Sequence, residues 1–352
     1  MITKLLFLDI NYKKIAFVFL FFFQVTFCFS QNYRTADAYI NDFGRNENYI
    51  NSALMEYSKS IAYVDPEKRV QRALEELLLK LDKINSILNT HDKGFKNDDR
   101  LRESLLNVSK SVITYLKNED NILKDYKEQS LTSLDEIVAS FELKDKNNEV
   151  LYGDFRKYEE TKKAFGEKYN IAIKNASGVN IYEYNTNQNM IFYKLNVLDE
   201  KLMSAINTMD LNLIVSCNQQ IVKTCIEAQN KTALYRDYFY DRSLNNASIL
   251  LADFYLNQDR ELIPAVVEFL TFSQHFKNTK ILFEEKDGSI SVAEYNAEVR
   301  KFNELKTKFY TTLNSINMNK NFLINSWVIT NSDFLKKNIN FDITNYRYVD
   351  TN

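Results

Sequence analysis

The sequence predicts an all-α protein built as two tandem antiparallel helical bundles, and three observations carry that prediction. Only six Gly and two Pro occur among 352 residues, too few for sandwiches, barrels or doubly wound sheets, whose tight turns consume both. Apolar residues recur at steps of three, four and seven along most of the chain, the period of a helix with one buried face. One stretch is also nearly written twice. Phe155–Phe165 reads FRKYEETKKAF and Val299–Phe309 reads VRKFNELKTKF. At one constant offset, Arg156, Lys157, Glu160, Lys162 and Phe165 match Arg300, Lys301, Glu304, Lys306 and Phe309. This points to a diverged duplication of four long helices per copy.

Residues 1–30 read as a secretory signal peptide. Lys13 and Lys14 precede the apolar run Ile15–Phe23, and Cys28 and Ser30 stand at −3 and −1 of a cut before Gln31. The run is interrupted at Gln24 and falls short of the ~20 apolar residues of a membrane span. The alternative is a lipoprotein with Cys28 as lipid acceptor, against which stand Val25 and the bulky Phe27 just before it. The expected location is therefore export: periplasmic, surface-associated or secreted.

The first bundle is expected over 31–177. Its first helix, Asp37–Tyr63, carries Phe43, Ile50, Leu54, Tyr57 and Ile61 on one face. Asp65-Pro66-Glu67 has the cap and first-turn chemistry of a helix start. The helix that follows, about 66–91, has the stripe Leu74, Leu77, Leu81, Ile84 and Leu88, and Gly94 suits its end. Asn97-Asp98-Asp99 opens a third helix, about 98–127, through Leu105, Val108, Val112 and Ile122. A short helix, Ser130–Leu143, a turn at Asp145–Asn148 and a long helix from 148 to 176 complete the unit. Asn175-Ala176-Ser177-Gly178 marks the break between bundles.

The second bundle is expected over 178–338. Tyr184, Leu195 and Leu202 fall opposite Tyr39, Ile50 and Tyr57, so the cycle restarts. An extra piece, Leu244–Tyr255, precedes a helix from near Asp259 with Pro264 in its first turn, where a missing N–H costs little. Asp287-Gly288 is a turn. Helices at Val292–Asn317 and Asn319–Asn338, the latter holding Trp327, lead to a polar tail over 339–352.

Charge and motifs exclude several functions. Lys and Arg number 45 against 47 Asp and Glu, with signs mixed and no basic block, so nucleic acid is not an expected partner. Cys217 and Cys225 lie eight residues apart in one predicted helix, ~12 Å of rise, too far for a disulfide; they read as small apolar side chains. His91 and His275 have no metal-ligand spacing around them. No GxSxG, GxGxxG or P-loop is present. Adjacent acids such as Glu75-Glu76 point ~100° apart on a helix and do not converge. The sequence thus predicts no catalytic residue, no cofactor and no metal, and a protein that is not an enzyme.

Two features stand out. Lys162 and Lys306 each interrupt an apolar stripe. Either the stem covers apolar surface while the ammonium emerges, or the lysine is buried against a carboxylate. Tyr235, Arg236, Tyr238, Tyr240 and Arg242 form the densest aromatic and basic run, suited to a protein or glycan partner or to packing between layers. The opening Ala38-Tyr39-Ile40-Asn41-Asp42-Phe43, with the Ser-Gln end of the signal peptide, resembles exported all-helical surface proteins of Bacteroidetes and Leptospira. That resemblance implies export and brings no site residues. The expected function is a non-catalytic envelope protein that binds a protein or glycan. A bundle carrier of a small apolar ligand is the alternative, with an enzyme third.

Overall fold

The computed structural model describes residues 33–62, 67–118, 126–172, 180–285 and 290–345. Among these residues the regular structure is helical, with isolated bridges at two turns and no strand. The helices are α1 (Ala36–Ala62), α2 (Glu67–His91), α3 (Arg100–Lys117), α4 (Tyr126–Ser130), α5 (Leu134–Tyr169), α6 (Ile181–Asn207), α7 (Leu211–Leu234), α8 (Ser243–Glu284) and α9 (Val292–Asn345). The protein is all-α, as expected. Residues 1–30, Asp65-Pro66, Ile122, the 175–178 break, Asp287-Gly288 and residues 346–352 lie outside the described residues.

The helices form two compact units. The first holds α1, α2, α3 and α5 from Val150 onward. The second holds α4, α5 as far as Glu149, α6, α7, α8 and α9 as far as Asp342. Among the described residues, 126–149, assigned from sequence to the first bundle, group with the second.

Three expected interruptions are absent, each because cross-helix contacts hold the helix through a weak point. Asp145–Asn148 lies inside α5. Short polar residues end helices when their side chains bond the local backbone. The Asp145 carboxylate instead accepts from Lys194 and, at 3.2 Å, from Lys231. Pro264 lies in the interior of α8 rather than in a first turn. A proline there costs ~3 kcal/mol, but Tyr255, Leu262, Val266 and Phe269 around it are all buried, each contributing roughly 1.5–3 kcal/mol. The expected break near Asn317–Asn319 is spanned by α9, where buried Ile316 and Lys320 face the core.

In the first unit the core is Tyr39, Ile40 and Phe43 of α1, Leu77, Leu81 and Leu88 of α2, Leu101 and Leu105 of α3, and Tyr158 and Phe165 of α5. The α2 stripe is buried from Leu77 onward, as the period predicts. In the second unit it is Tyr184, Leu195 and Leu202 of α6, Ile214, Cys217, Ile221 and Cys225 of α7, Tyr255 and Val266 of α8, and Trp327 and Phe334 of α9. Cys217 and Cys225 are free and buried, and burial raises their thiol pKa values to about 11 and about 12.

Two helix starts share one device. Ser133 N–H donates to Glu136 at 2.8 Å while Glu136 N–H donates back to Ser133 Oγ at 3.2 Å. Ser291 and Glu294 repeat this at 2.8 and 3.3 Å. These are capping boxes, one opening α5 and one opening α9.

Candidate functional site

The candidate run Tyr235–Arg242 joins α7 to α8 and folds as a tight turn. Tyr238 N–H donates to Asp241 O at 3.0 Å and Asp241 N–H donates back to Tyr238 O at 2.9 Å. Between them Phe239 has φ 46° and Tyr240 has φ 69°. Both central residues are left-handed, the backbone of a type I′ turn, which normally takes Asn-Gly. For a bulky L-residue this region costs roughly 1–2 kcal/mol.

The turn is anchored on three sides. The Asp241 carboxylate accepts from Ser243 N–H at 3.0 Å and Ser243 Oγ at 2.7 Å, from Lys337 Nζ at 2.9 Å and from Asn338 Nδ2 at 3.0 Å. Burial alone would raise its pKa. The four donors outweigh that and hold it well below the usual carboxylate range. The Tyr238 ring, 2% exposed, lies 5.9 Å from both Tyr184 and Phe334. Tyr235 donates its hydroxyl to Glu183 at 3.0 Å. The candidate residues therefore divide. Tyr238 is a plug of the core, which corrects its assignment to a binding surface, and Tyr235 is half-buried. Arg236, Tyr240 and Arg242 are exposed, Tyr240 at 94%, beside Leu234 at 75%. Arg242 Nε is 3.9 Å from Asp237.

The first unit contains the same turn between α2 and α3. Phe95 and Asp98 form the bridge, and Lys96 (φ 51°) and Asn97 (φ 65°) are left-handed. Asp98 accepts from Arg100 through two bonds of 2.8 Å, from Lys168 at 2.7 Å and from Tyr169 at 3.2 Å. Chiefly the Arg100 bonds hold its pKa well below the usual range. Phe95 packs 6.0 Å from Tyr39 and 6.3 Å from Phe165. Gly94 at φ +77° is required here, since a Cβ would lie 2.3 Å from the Asp98 carbonyl oxygen. The rings of Tyr39, Phe95 and Phe165 thus pack together beside Asp98, and those of Tyr184, Tyr238 and Phe334 pack together beside Asp241.

This correspondence differs from the one written in the sequence. Phe165 packs against Tyr39 and the 95–98 turn, whereas Phe309 stacks on Phe269 of α8 at 5.1 Å. Phe165 and Phe309, matched in the sequence, thus have different neighbours. Tyr158 stands seven residues before Phe165, and Trp327 seven before Phe334. Tyr158 donates to Glu47 of α1, while Trp327 stacks on Phe192 of α6 at 4.1 Å and donates Nε1–H to Ser248 at 3.0 Å.

Lys162 and Lys306 also separate. Lys162 is 2% exposed, with Nζ 3.3 Å from Glu47 and 2.8 Å from Glu159. Burial disfavours its charge, but the two carboxylates prevail and raise its pKa. It is the buried, paired lysine of the second reading. Lys306 is exposed, so that reading does not apply to it. The second unit holds a buried pair that the sequence reading did not single out: Lys320 Nζ on Asp199 at 2.7 Å. Burial raises the Asp199 pKa despite Lys320.

In the first unit a groove of about 460 Å³ runs between α3 and α5. Arg100, Glu103, Lys157 and Glu160 line it together with Leu101, Ala164 and Phe165, so its wall mixes charged and apolar side chains. Among the described residues no helix is long and apolar enough to cross a membrane, and no group of three metal-ligating side chains gathers. Protein-family models, curated proteins and solved structures give no match to this chain.

Proposed function

We propose that this chain is an exported, non-catalytic helical protein of the cell envelope that binds another protein. Two rigid helical units would serve as frames, and the turn between α7 and α8 as the contact. The observation carrying the reading is Tyr240, a large aromatic 94% exposed on a turn whose flanks are fixed by Asp241 and Tyr238. Exposed aromatics flanked by Arg are the residue types that dominate binding energy at protein interfaces. The shape favours protein over glycan, because a convex tip fills a concave pocket. We further read the two units as diverged copies, matched through their turns and the helix ends that hold Asp98 and Asp241.

Native mass spectrometry of the protein from its own envelope tests this. A mass starting at Gln31 together with a protein complex supports the proposal. A lipid on Cys28 would instead make it a lipoprotein. A retained small apolar molecule with no protein complex would favour the carrier.

A further inference from the structure

We propose that Phe239 and Tyr240 are a recognition knob that inserts into an apolar pocket with an acidic rim on a partner protein. The inference rests on the partner-binding reading above and names the residues and the partner's chemistry.

Two turns share their bridge, their left-handed central pair and their sunken aspartate. The first unit fills the pair with Lys96 and Asn97, and asparagine tolerates the left-handed region. The second fills it with Phe and Tyr, which do not. Strained backbone persists only where the surroundings over-determine it, and it concentrates at sites of function. Burial does not explain Tyr240, which is 94% exposed. The Phe239 ring meets Tyr238 edge-on at 4.8 Å, which stiffens the base and leaves the Tyr240 ring projecting. A tyrosine on a fixed backbone has only two side-chain torsions to order on docking, so it loses little entropy.

The surroundings define the complement. Leu234, the last residue of α7, is also exposed. Arg236 and Arg242 are exposed beside it, and Lys337, itself 70% exposed in its side chain, sits over Asp241. Of the nearby acids, Asp241 is sunk beneath its donors, and Asp237 accepts the Tyr240 N–H at 3.4 Å and lies 3.9 Å from Arg242. The tip is apolar, and the three cations around it outnumber the two carboxylates by one. The fitting surface is an apolar pocket ringed by carboxylates.

The test uses the full chain in its native envelope with a photo-crosslinking amino acid at position 240 and, separately, at position 97. The competitor is a cyclic peptide spanning 234–243, and a control peptide carries Phe239→Asn and Tyr240→Gly. The expected result is a discrete protein adduct from position 240 and none from 97, displaced by the first peptide and not by the second. An adduct at 97 with none at 240 would overturn the knob and leave the partner-binding reading standing. No protein adduct at either position would overturn both. An adduct to glycan would reject the protein pocket. In parallel, Phe239→Asn with Tyr240→Gly should raise Tm by roughly 4 °C through relief of strain. A lower Tm would show that these rings serve the fold, and would overturn the proposal.

Discussion

Replacing Lys162 with Met should destabilise the first unit by about 3–5 kcal/mol, the cost of stranding one partner of a buried ion pair. The side chain is 2% exposed and its ammonium faces Glu47, itself 4% exposed, and Glu159. Methionine keeps most of the volume, so little of the loss would come from a cavity. Glu159 has solvent to turn to, with 38% of its side chain exposed; Glu47 would keep the Tyr158 hydroxyl. One such bond to a charged group is worth ~1.5–3 kcal/mol, less than the several kcal/mol needed to desolvate a carboxylate. Urea unfolding followed by far-UV circular dichroism reads the effect. At a slope of ~2 kcal/mol per molar, the midpoint of the first unit's transition should fall by about 2 M. Adding Glu47→Leu should restore most of it, since a buried pair exchanged for apolar groups is often neutral. Lys306→Met, on an exposed face, should stay within about 0.5 kcal/mol. Equal effects of the two lysine substitutions, or no effect of Lys162→Met, would refute the reasoning.

The same pair gives a pH dependence. The folded pKa of Lys162 lies above its ordinary value, so its contribution is complete below ~10.4 and is lost as pH rises through the folded pKa. Wild type should therefore lose more stability above about pH 10.5 than Lys162→Met, measured by urea midpoints; parallel curves would contradict this. In the second unit Asp199→Leu alone should cost about 3–5 kcal/mol, and Asp199→Leu with Lys320→Leu much less; additive losses in a double-mutant cycle would count against a buried pair. Gly94→Ala should cost more than ~1 kcal/mol in thermal unfolding, because the position is left-handed and its Cβ space is filled by the Asp98 backbone. Cys217 and Cys225 should be silent to a thiol reagent at pH 8 until the protein unfolds, since both are buried with raised pKa values; stoichiometric reaction of the native chain would disprove it.

Helix was legible in the sequence because its cause is local. The apolar period sets which face can be buried, and Leu77, Leu81, Ile84 and Leu88 lie on the predicted face of α2 and are buried. Capping boxes at Ser133–Glu136 and Ser291–Glu294 were equally readable, a four-residue signal that would have placed the starts of α5 and α9. Helix ends were not readable at Asp145–Asn148, Pro264 and Asn317–Asn319. There the local signal says stop, and continuity comes from partners far along the chain, such as Lys194 on Asp145 and Asp199 on Lys320.

The candidate residues show the same division. Lys162 and Lys306 sit in nearly identical words, yet one is buried and one is not, because Glu47, 115 residues earlier, meets only the first. Tyr238 and Tyr240 are two positions apart in one aromatic run, and a turn with both central φ angles positive sends one ring into the core and the other into solvent. No Asn-Gly announces that turn. The sequence by itself determined the helical class, the buried faces and the candidate run. The tertiary structure alone decided where helices end, which lysine is paired and which tyrosine is presented, because each depends on contacts between residues that the chain order keeps far apart.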